Sequence, residues 1–258
     1  MGLIYTYFGD GAPPAFPPFP AFEGGGVIEN SRLEFPCNWF QTYENHADEA
    51  HISFVHSTGG SHKALGRDQI RIPELSAEET DYGMIRYSSV NNGKKRTTLY
   101  LFPNTMRISI PAFSGITVGG WRDSYVTLVP TDDENHLCFH TQYADLKAQD
   151  SDAYRAAQES DRERMAGARK LIDIARDVLD GKASLFDFHD HPRFPLIEDA
   201  VAQGGQGAMV DRSVERLGRT DVCIARMRRL FARELGAIAD GRAIKDWRYS
   251  GQKPDSGF

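Results

Sequence analysis

The chain has 258 residues, 40% of them hydrophobic and 26% charged, with a formal net charge of −6 at pH 7. A chain of this size buries about 70–75% of its unfolded surface without disulfide staples, and its composition excludes disordered, collagen-like and membrane-spanning classes. The acidic balance supplies no global basic field for nucleic acid or an anionic membrane, and the runs Lys94-Lys95-Arg96 and Arg226-Met227-Arg228-Arg229 read as a solvated turn and a helix face.

In chain order, residues 1–9 read as an apolar, aromatic strand ended by Gly9-Asp10-Gly11. Residues 12–20 read as a stiff extended linker, because proline fixes φ and offers no ladder donor. The strand has no local partner, so it is expected to close a preceding domain. A strand at 27–33 leads into a polar, helix-tolerant stretch at 38–56. Residues 66–146 read as a β meander, with runs at 68–72, 82–90, 96–102, 105–110, 116–129 and 136–144 and a hairpin turn at Asn91-Asn92-Gly93. Two long helices are predicted. The first, over 152–180, carries apolar residues from Met165 to Leu179 at three- and four-residue spacing, with Gly181 past its end. The second, over 220–239, opens on Thr220-Asp221 and sets Ile224, Met227, Leu230, Phe231, Leu235 and Ile238 on one face. The predicted class is α+β, an antiparallel sheet gripping long helices.

Cys37, Cys138 and Cys223 are odd in number and widely spaced, with no zinc-ligand spacing. The amino terminus has neither the basic nor the apolar region of a signal peptide, and no apolar run approaches a membrane span. A cytoplasmic protein is expected.

The segment 38–56 is the most informative. On a helix Asp48 shares a face with both Asn45 and His51. His51 and His56 are five apart, about 140° on a regular helix, so they converge on one metal only if the helix ends or bulges between them. The histidine spacing of zinc peptidases is absent. Two neutral imidazoles and a later carboxylate, with open positions, suit non-haem iron(II). Spacing alone leaves surface or packing histidines as the alternative.

Asn38-Trp39-x-Gln41-x-x-Glu44-Asn45-x-x-Asp48-x-x-His51-x4-His56 resembles the iron-site helix of Rieske-type aromatic ring-hydroxylating oxygenases. More narrowly, it resembles the phthalate dioxygenase and dehydrodivanillate O-demethylase group. Ile197-Glu198-Asp199, Gln206-Gly207, Asp211-Arg212-Ser213 and Glu215-x-Leu217-Gly218-Arg219-Thr220-Asp221 are similar to the closing signature of that group. The resemblance covers nearly the whole chain. It implies a helix-grip (START/Bet v 1-like) fold, an antiparallel sheet around a long carboxy-terminal helix. It implies that His51, His56 and Asp199 hold mononuclear Fe(II). It makes Asp48 the acid that bridges to a Rieske-cluster histidine of a neighbouring subunit, and puts Asn45 close to the iron. For Asp199 the alternative is an acidic residue at a helix start, favoured by the helix dipole.

Other residues rate lower. His189 and His191 read as solvated, His136, Cys138 and His140 as structural, and His46 and His62 as exposed. Gln203-Gly204-Gly205-Gln206-Gly207 does not fit a phosphate loop. Phe102, Phe113, Trp121 and Tyr125 are candidates for either pocket or core.

The family's amino-terminal domain holds a [2Fe–2S] cluster on two cysteines and two histidines, beginning Cys-x-His. Cys138-Phe139-His140 has no Cys-x-x-His after it and follows the iron helix, so no Rieske domain is expected here. The resemblance assigns 1–22 to the last strand and exit linker of that missing domain, and 23–258 to the catalytic domain. The implied function is hydroxylation or O-demethylation of a small aromatic compound with O2, in a homo-oligomer such as a trimer. Electrons would come from a Rieske/reductase donor, directly from a Rieske [2Fe–2S] centre on another chain. A non-catalytic binding module or decayed fragment with a remnant metal site is the alternative, and a zinc-loaded hydrolase a third reading.

Overall fold

Side chains alternate across a strand, and here that alternation divides the molecule into two faces. In the computed structural model, which describes residues 3–13, 15–16, 18–19, 22, 26–57, 72–89, 95–111, 118, 120–147 and 150–251, seven strands form one antiparallel sheet. They are β1 (Val27–Phe35), β2 (Leu75–Thr80), β3 (Gly83–Ser89), β4 (Lys95–Leu101), β5 (Thr105–Pro111), β6 (Trp121–Pro130) and β7 (His136–Ala144). Strands β2 to β7 follow one another as a meander, and β1 adds to the far edge beside β7.

The register sets Met84, Tyr100, Met106, Val126, His140 and Ser31 in one row across the inner face. The next row is Arg86, Thr98, Ile108, Ser124, Gln142 and Glu29. The face therefore grades from an apolar floor to a polar end.

Among the described residues six α-helices cover the inner face or flank it: α1 (Trp39–Asn45), α2 (His51–Phe54), α3 (Ser151–Ala166), α4 (Leu171–Leu179), α5 (Phe194–Gly204) and α6 (Val222–Ala239). Ile174 of α4, Ile197 of α5 and Met227 of α6 are fully buried in one core with Met84, Tyr100 and Leu128. Burial of each such side chain stabilises the fold by about 1.5–3 kcal/mol. Phe231 of α6 packs against Trp39, Phe40, Tyr43 and Phe102, which fixes α6 against α1. On the outer face Phe19 and Tyr249 cover Leu99, Leu101 and Tyr125. There Arg107 makes two hydrogen bonds to Asp123 and donates a third to the Tyr249 hydroxyl at 2.6 Å.

Several expectations change. Residues 3–8 form no strand, consistent with their having no partner to pair with. The helix over 152–180 is two helices, broken at Gly167. The polar first half buries only Tyr154, whereas α4 turns Leu171, Ile172, Ile174 and Ala175 into the core. On α6 the apolar stripe is buried only at its start: Ile224, Met227 and Leu230 are inside, whereas Leu235 and Ile238 are about 60% exposed. Arg96 belongs to β4, not to a solvated turn, and is buried because its position points inward. Strand β2 was not anticipated. The expected strand at 68–72 falls outside the described residues except for exposed Ile72, as does the turn at 91–93. The strands it was expected to join, β3 and β4, do pair. Among the described residues no helix is long and apolar enough to cross a membrane.

Truncating Ile174 to alanine is expected to cost about 2–5 kcal/mol. Leu235→Ala, at the exposed end of α6, should stay within about 0.5 kcal/mol of the parent. Urea denaturation of the two variants checks this division of the helical surface.

Candidate metal centre

Helix α1 begins at Asn38, whose Oδ1 accepts the Phe40 amide at 3.0 Å. Its helical run stops at Asn45, and the chain turns before α2 starts. Asp48 organises that restart, its Oδ1 accepting the amides of Ala50 at 2.8 Å and His51 at 3.2 Å. Helix α2 lasts a single turn and tightens into a 3-10 turn, Val55–Ser57, where His56 adopts φ −90° and ψ 16°, outside the helical range. The two imidazoles are thereby turned toward each other, with ring centroids 5.3 Å apart. The condition set by their spacing, that the helix end between them, is met.

Asp199 enters from α5. Its Oδ1 lies 3.3 Å from His56 Nε2 and 3.7 Å from His51 Nε2, and one ligand atom from each of the three residues lies within 4.8 Å of the others. Asp199 stands in the middle of α5, so a helix-start carboxylate is not its setting. Asn45 Nδ2 donates to the same Asp199 oxygen at 3.2 Å. The outer nitrogens of the histidines are held as well. His51 Nδ1 faces the Asp48 carbonyl, and His56 Nδ1 lies 2.9 Å from Glu198 Oε2. Two imidazole nitrogens and one carboxylate, each imidazole held from behind, form a donor set that fits a first-row divalent metal.

Burial disfavours charge on both His56 and Asp199, but their mutual attraction outweighs it. Hydrogen bonds to Asp199 and Glu198 push the His56 pKa up to about 9, and His56 holds Asp199 below the usual carboxylate range. His46 and His140 differ, since burial pushes both down to about 4 and leaves neutral rings at pH 7.

The two blocks of the sequence motif are joined by buried polar contacts. Gln41 Nε2 donates to the carbonyls of Gln203 and Gly207, and its Oε1 accepts the Val210 amide. Asn38 N donates to the Ala208 carbonyl at 2.7 Å. Glu44, 6% exposed, pairs with Arg212 and Arg228, and Arg228 continues to Glu215. Gln203 and Gly204 end α5, and Gly205 and Gly207 lie in the loop that meets Gln41, which gives that glycine-rich run its structural use.

A cavity of about 300 Å³ opens beside the three ligand candidates. Leu33, Phe35, Ile108, Ile110 and Val126 form its apolar wall, and His46, Cys138 and His140 line it as well. At its polar end Glu49, fully buried, pairs with Arg86 at 2.5 Å and Arg96 at 3.2 Å. His46 is therefore not an exposed residue, and His140 and Cys138 belong to the cavity wall. Phe102 and Tyr125 belong to core clusters, Trp121 does not line the cavity, and Phe113 and His62 lie outside the described residues. His189 is exposed, His191 hydrogen-bonds the Arg169 carbonyl, and His136 is buried against the Cys37 carbonyl. Glu49, Arg86 and Arg96 were missed. For Arg86 and Arg96 the signal was a charged residue at an inward position of an alternating strand, readable only once the register is known, whereas Glu49 lies in the turn before α2.

Residues 7–246 match the family model described as "LigXa C-terminal domain like". The chain belongs to that family. Among curated proteins, it is 28% identical over 260 residues to the 5,5'-dehydrodivanillate O-demethylase oxygenase subunit of Sphingobium sp. (strain NBRC 103272 / SYK-6), covering 95% of this chain and 52% of that one. It is 23% identical to the phthalate 4,5-dioxygenase oxygenase subunit of Pseudomonas putida, covering 94% and 59%. This LigXa-like chain thus spans about half the length of the curated relatives it matches. Solved structures similar in fold include Pseudomonas putida CBB5 NdmA with caffeine, at TM-score 0.56 and 12% identity, covering 93% of this chain and 62% of that one. Another is the terminal oxygenase of carbazole 1,9a-dioxygenase from Nocardioides aromaticivorans IC177, at TM-score 0.52 and 17% identity, covering 93% and 65%. The expected resemblance to Rieske-type oxygenase catalytic domains and the helix-grip fold are borne out.

Replacing Gln41 with alanine deprives two carbonyls and one amide of a buried partner. It is expected to cost about 1–3 kcal/mol, measured as a lowered urea midpoint at unchanged slope.

Proposed function

We propose that the chain is the catalytic domain of a terminal oxygenase that hydroxylates or O-demethylates a small aromatic compound, with His51, His56 and Asp199 holding mononuclear Fe(II). The observation that carries this reading is the convergence of those three residues, ligand atoms within 4.8 Å of one another, beside a cavity of about 300 Å³. Family membership supports it, as do the oxygenase-subunit names of the curated relatives. Ferrous iron bound by three protein ligands supplies open positions at which dioxygen is activated next to a substrate.

The chain's own residues do the rest. Asp199 offsets part of the metal charge while Asn45 steadies its oxygen. The wall formed by Leu33, Ile108, Ile110 and Val126 takes the apolar ring and excludes water around it. His46 and His140, neutral at pH 7, offer hydrogen bonds to polar substituents without adding charge beside the metal. Asp48 has the part implied by the resemblance, relaying electrons from a Rieske [2Fe–2S] centre on another chain of a homo-oligomer. Its Oδ1 already caps α2, so the same side chain couples the position of His51 to that contact.

Anaerobic loading with Fe(II) tests the reading. About one iron per chain is expected, lost in His56→Ala, and no uptake by the folded parent chain overturns it. Asp48→Asn preserves the capping acceptor. It should keep its iron while turnover with a Rieske donor and reductase falls about 10–100-fold. Unchanged turnover would remove Asp48 from the electron path.

A further inference from the structure

Glu198 and Asp199 are neighbours on α5, yet they meet opposite edges of one ring. Asp199 Oδ1 lies 3.3 Å from His56 Nε2, and Glu198 Oε2 lies 2.9 Å from His56 Nδ1. Helix α5 thus holds the imidazole on both nitrogens. Glu198 is 2% exposed and the His56 side chain 7%, so water does not compete for their contact. His51 is held differently: its Nδ1 faces the backbone carbonyl of Asp48, a neutral acceptor. The two histidines are therefore inequivalent, one backed by an anion and the other by a dipole.

Resting on the iron-site reading above, we propose that Glu198 is a positioning residue that fixes the tautomer of His56 and strengthens it as a metal ligand. With Nδ1–H donated to Glu198, Nε2 is the nitrogen left to exchange its proton for a metal ion, and the ring cannot rotate without breaking a buried charge-assisted hydrogen bond. The carboxylate also draws the Nδ1 proton toward itself, which raises electron density at Nε2 and makes it a better donor. Together Glu198 and Asp199 place two negative charges around a divalent ion. That balance favours the ferric state relative to a site with Asp199 alone. Two adjacent acidic residues on one helix thus have separate tasks, one on the metal and one on its ligand.

The test uses the 258-residue chain with Glu198→Gln and Glu198→Ala, each checked for folding by circular dichroism. Affinity for Fe(II) is measured anaerobically by chelator competition. The visible spectrum of the Co(II)-loaded protein and the midpoint potential of the bound iron are recorded beside it. Glu198→Ala should weaken metal binding about 10–100-fold. Glu198→Gln keeps an acceptor but removes the charge. It should bind one metal with a smaller loss, a more positive midpoint potential and a shifted Co(II) spectrum, changes that a merely structural role would not produce. If Glu198→Ala fails to fold, the near-isosteric glutamine variant decides. Affinity, spectrum and potential all equal to the parent in Glu198→Gln overturn the proposal while leaving the iron site standing. A parent chain that takes up no metal overturns both.

Discussion

The candidate centre depends on holding together two segments that lie far apart in sequence, since the Asn45–Asp199 contact spans 154 residues and the His56–Glu198 contact 142. A metal site tolerates little error in the placement of its donors. Helix α1 meets this demand with one polar face. Gln41, Glu44 and Asn45 engage, in order, the end of α5, Arg212 with Arg228, and Asp199, and the Asn38 backbone amide donates to the Ala208 carbonyl. Because Gln41 satisfies backbone groups and not side chains, it fixes where α5 ends without relying on any flexible partner. The motif residues that do not touch the metal position are, on this view, the frame that sets the distance between α2 and α5.

Charge is handled at two depths of the same cavity. At the polar end, Glu49 bridges Arg86 and Arg96, and Arg86 also donates to the His46 carbonyl and to Thr98. Burying such ions is costly, and removing any one of them would leave an uncompensated buried charge. Arg86 is tied to the backbone of His46, one residue after α1 ends, so the sheet reaches directly into the turn that precedes α2. The Tyr100 hydroxyl donates to the same carbonyl at 2.5 Å. Strands β3 and β4 therefore hold the break that separates α1 from α2, and through it the orientation of His51.

Much of this architecture was legible before any coordinates. The alternating runs at 82–90, 96–102, 105–110 and 136–144 correspond to β3, β4, β5 and β7 because half-buried strands must alternate. Strand β2 escaped because Leu75–Thr80 is a mostly polar edge strand whose apolar face is only Leu75 and Ala77, too short an alternation to stand out. The break at Gly167 escaped because a single glycine costs a helix only about 1 kcal/mol, and the apolar spacing ran on past it. At the centre, the five-residue interval between His51 and His56 stated a condition that only a helix end could satisfy. The resemblance named Asp199, but nothing local indicated that Glu198 would reach His56. Arg86, Arg96 and His140 became part of the cavity only through strand register, which one sequence does not reveal.

Helix α3 stands apart from this tightly determined frame. Tyr154 is its one buried side chain, packed with half-buried Ala157 beside Ala144, and its polar ties include Asp161 to Arg193, which both line the cavity, and Gln158 to Glu29. Water can replace each of those partners at small cost, whereas detaching α4 or α5 would expose the apolar core. The molecule is thus built with a graded cohesion, strongest where His51, His56 and Asp199 converge and weakest along one border of the cavity. Loosening α3 would open that border of the cavity to solvent while the sheet stays paired.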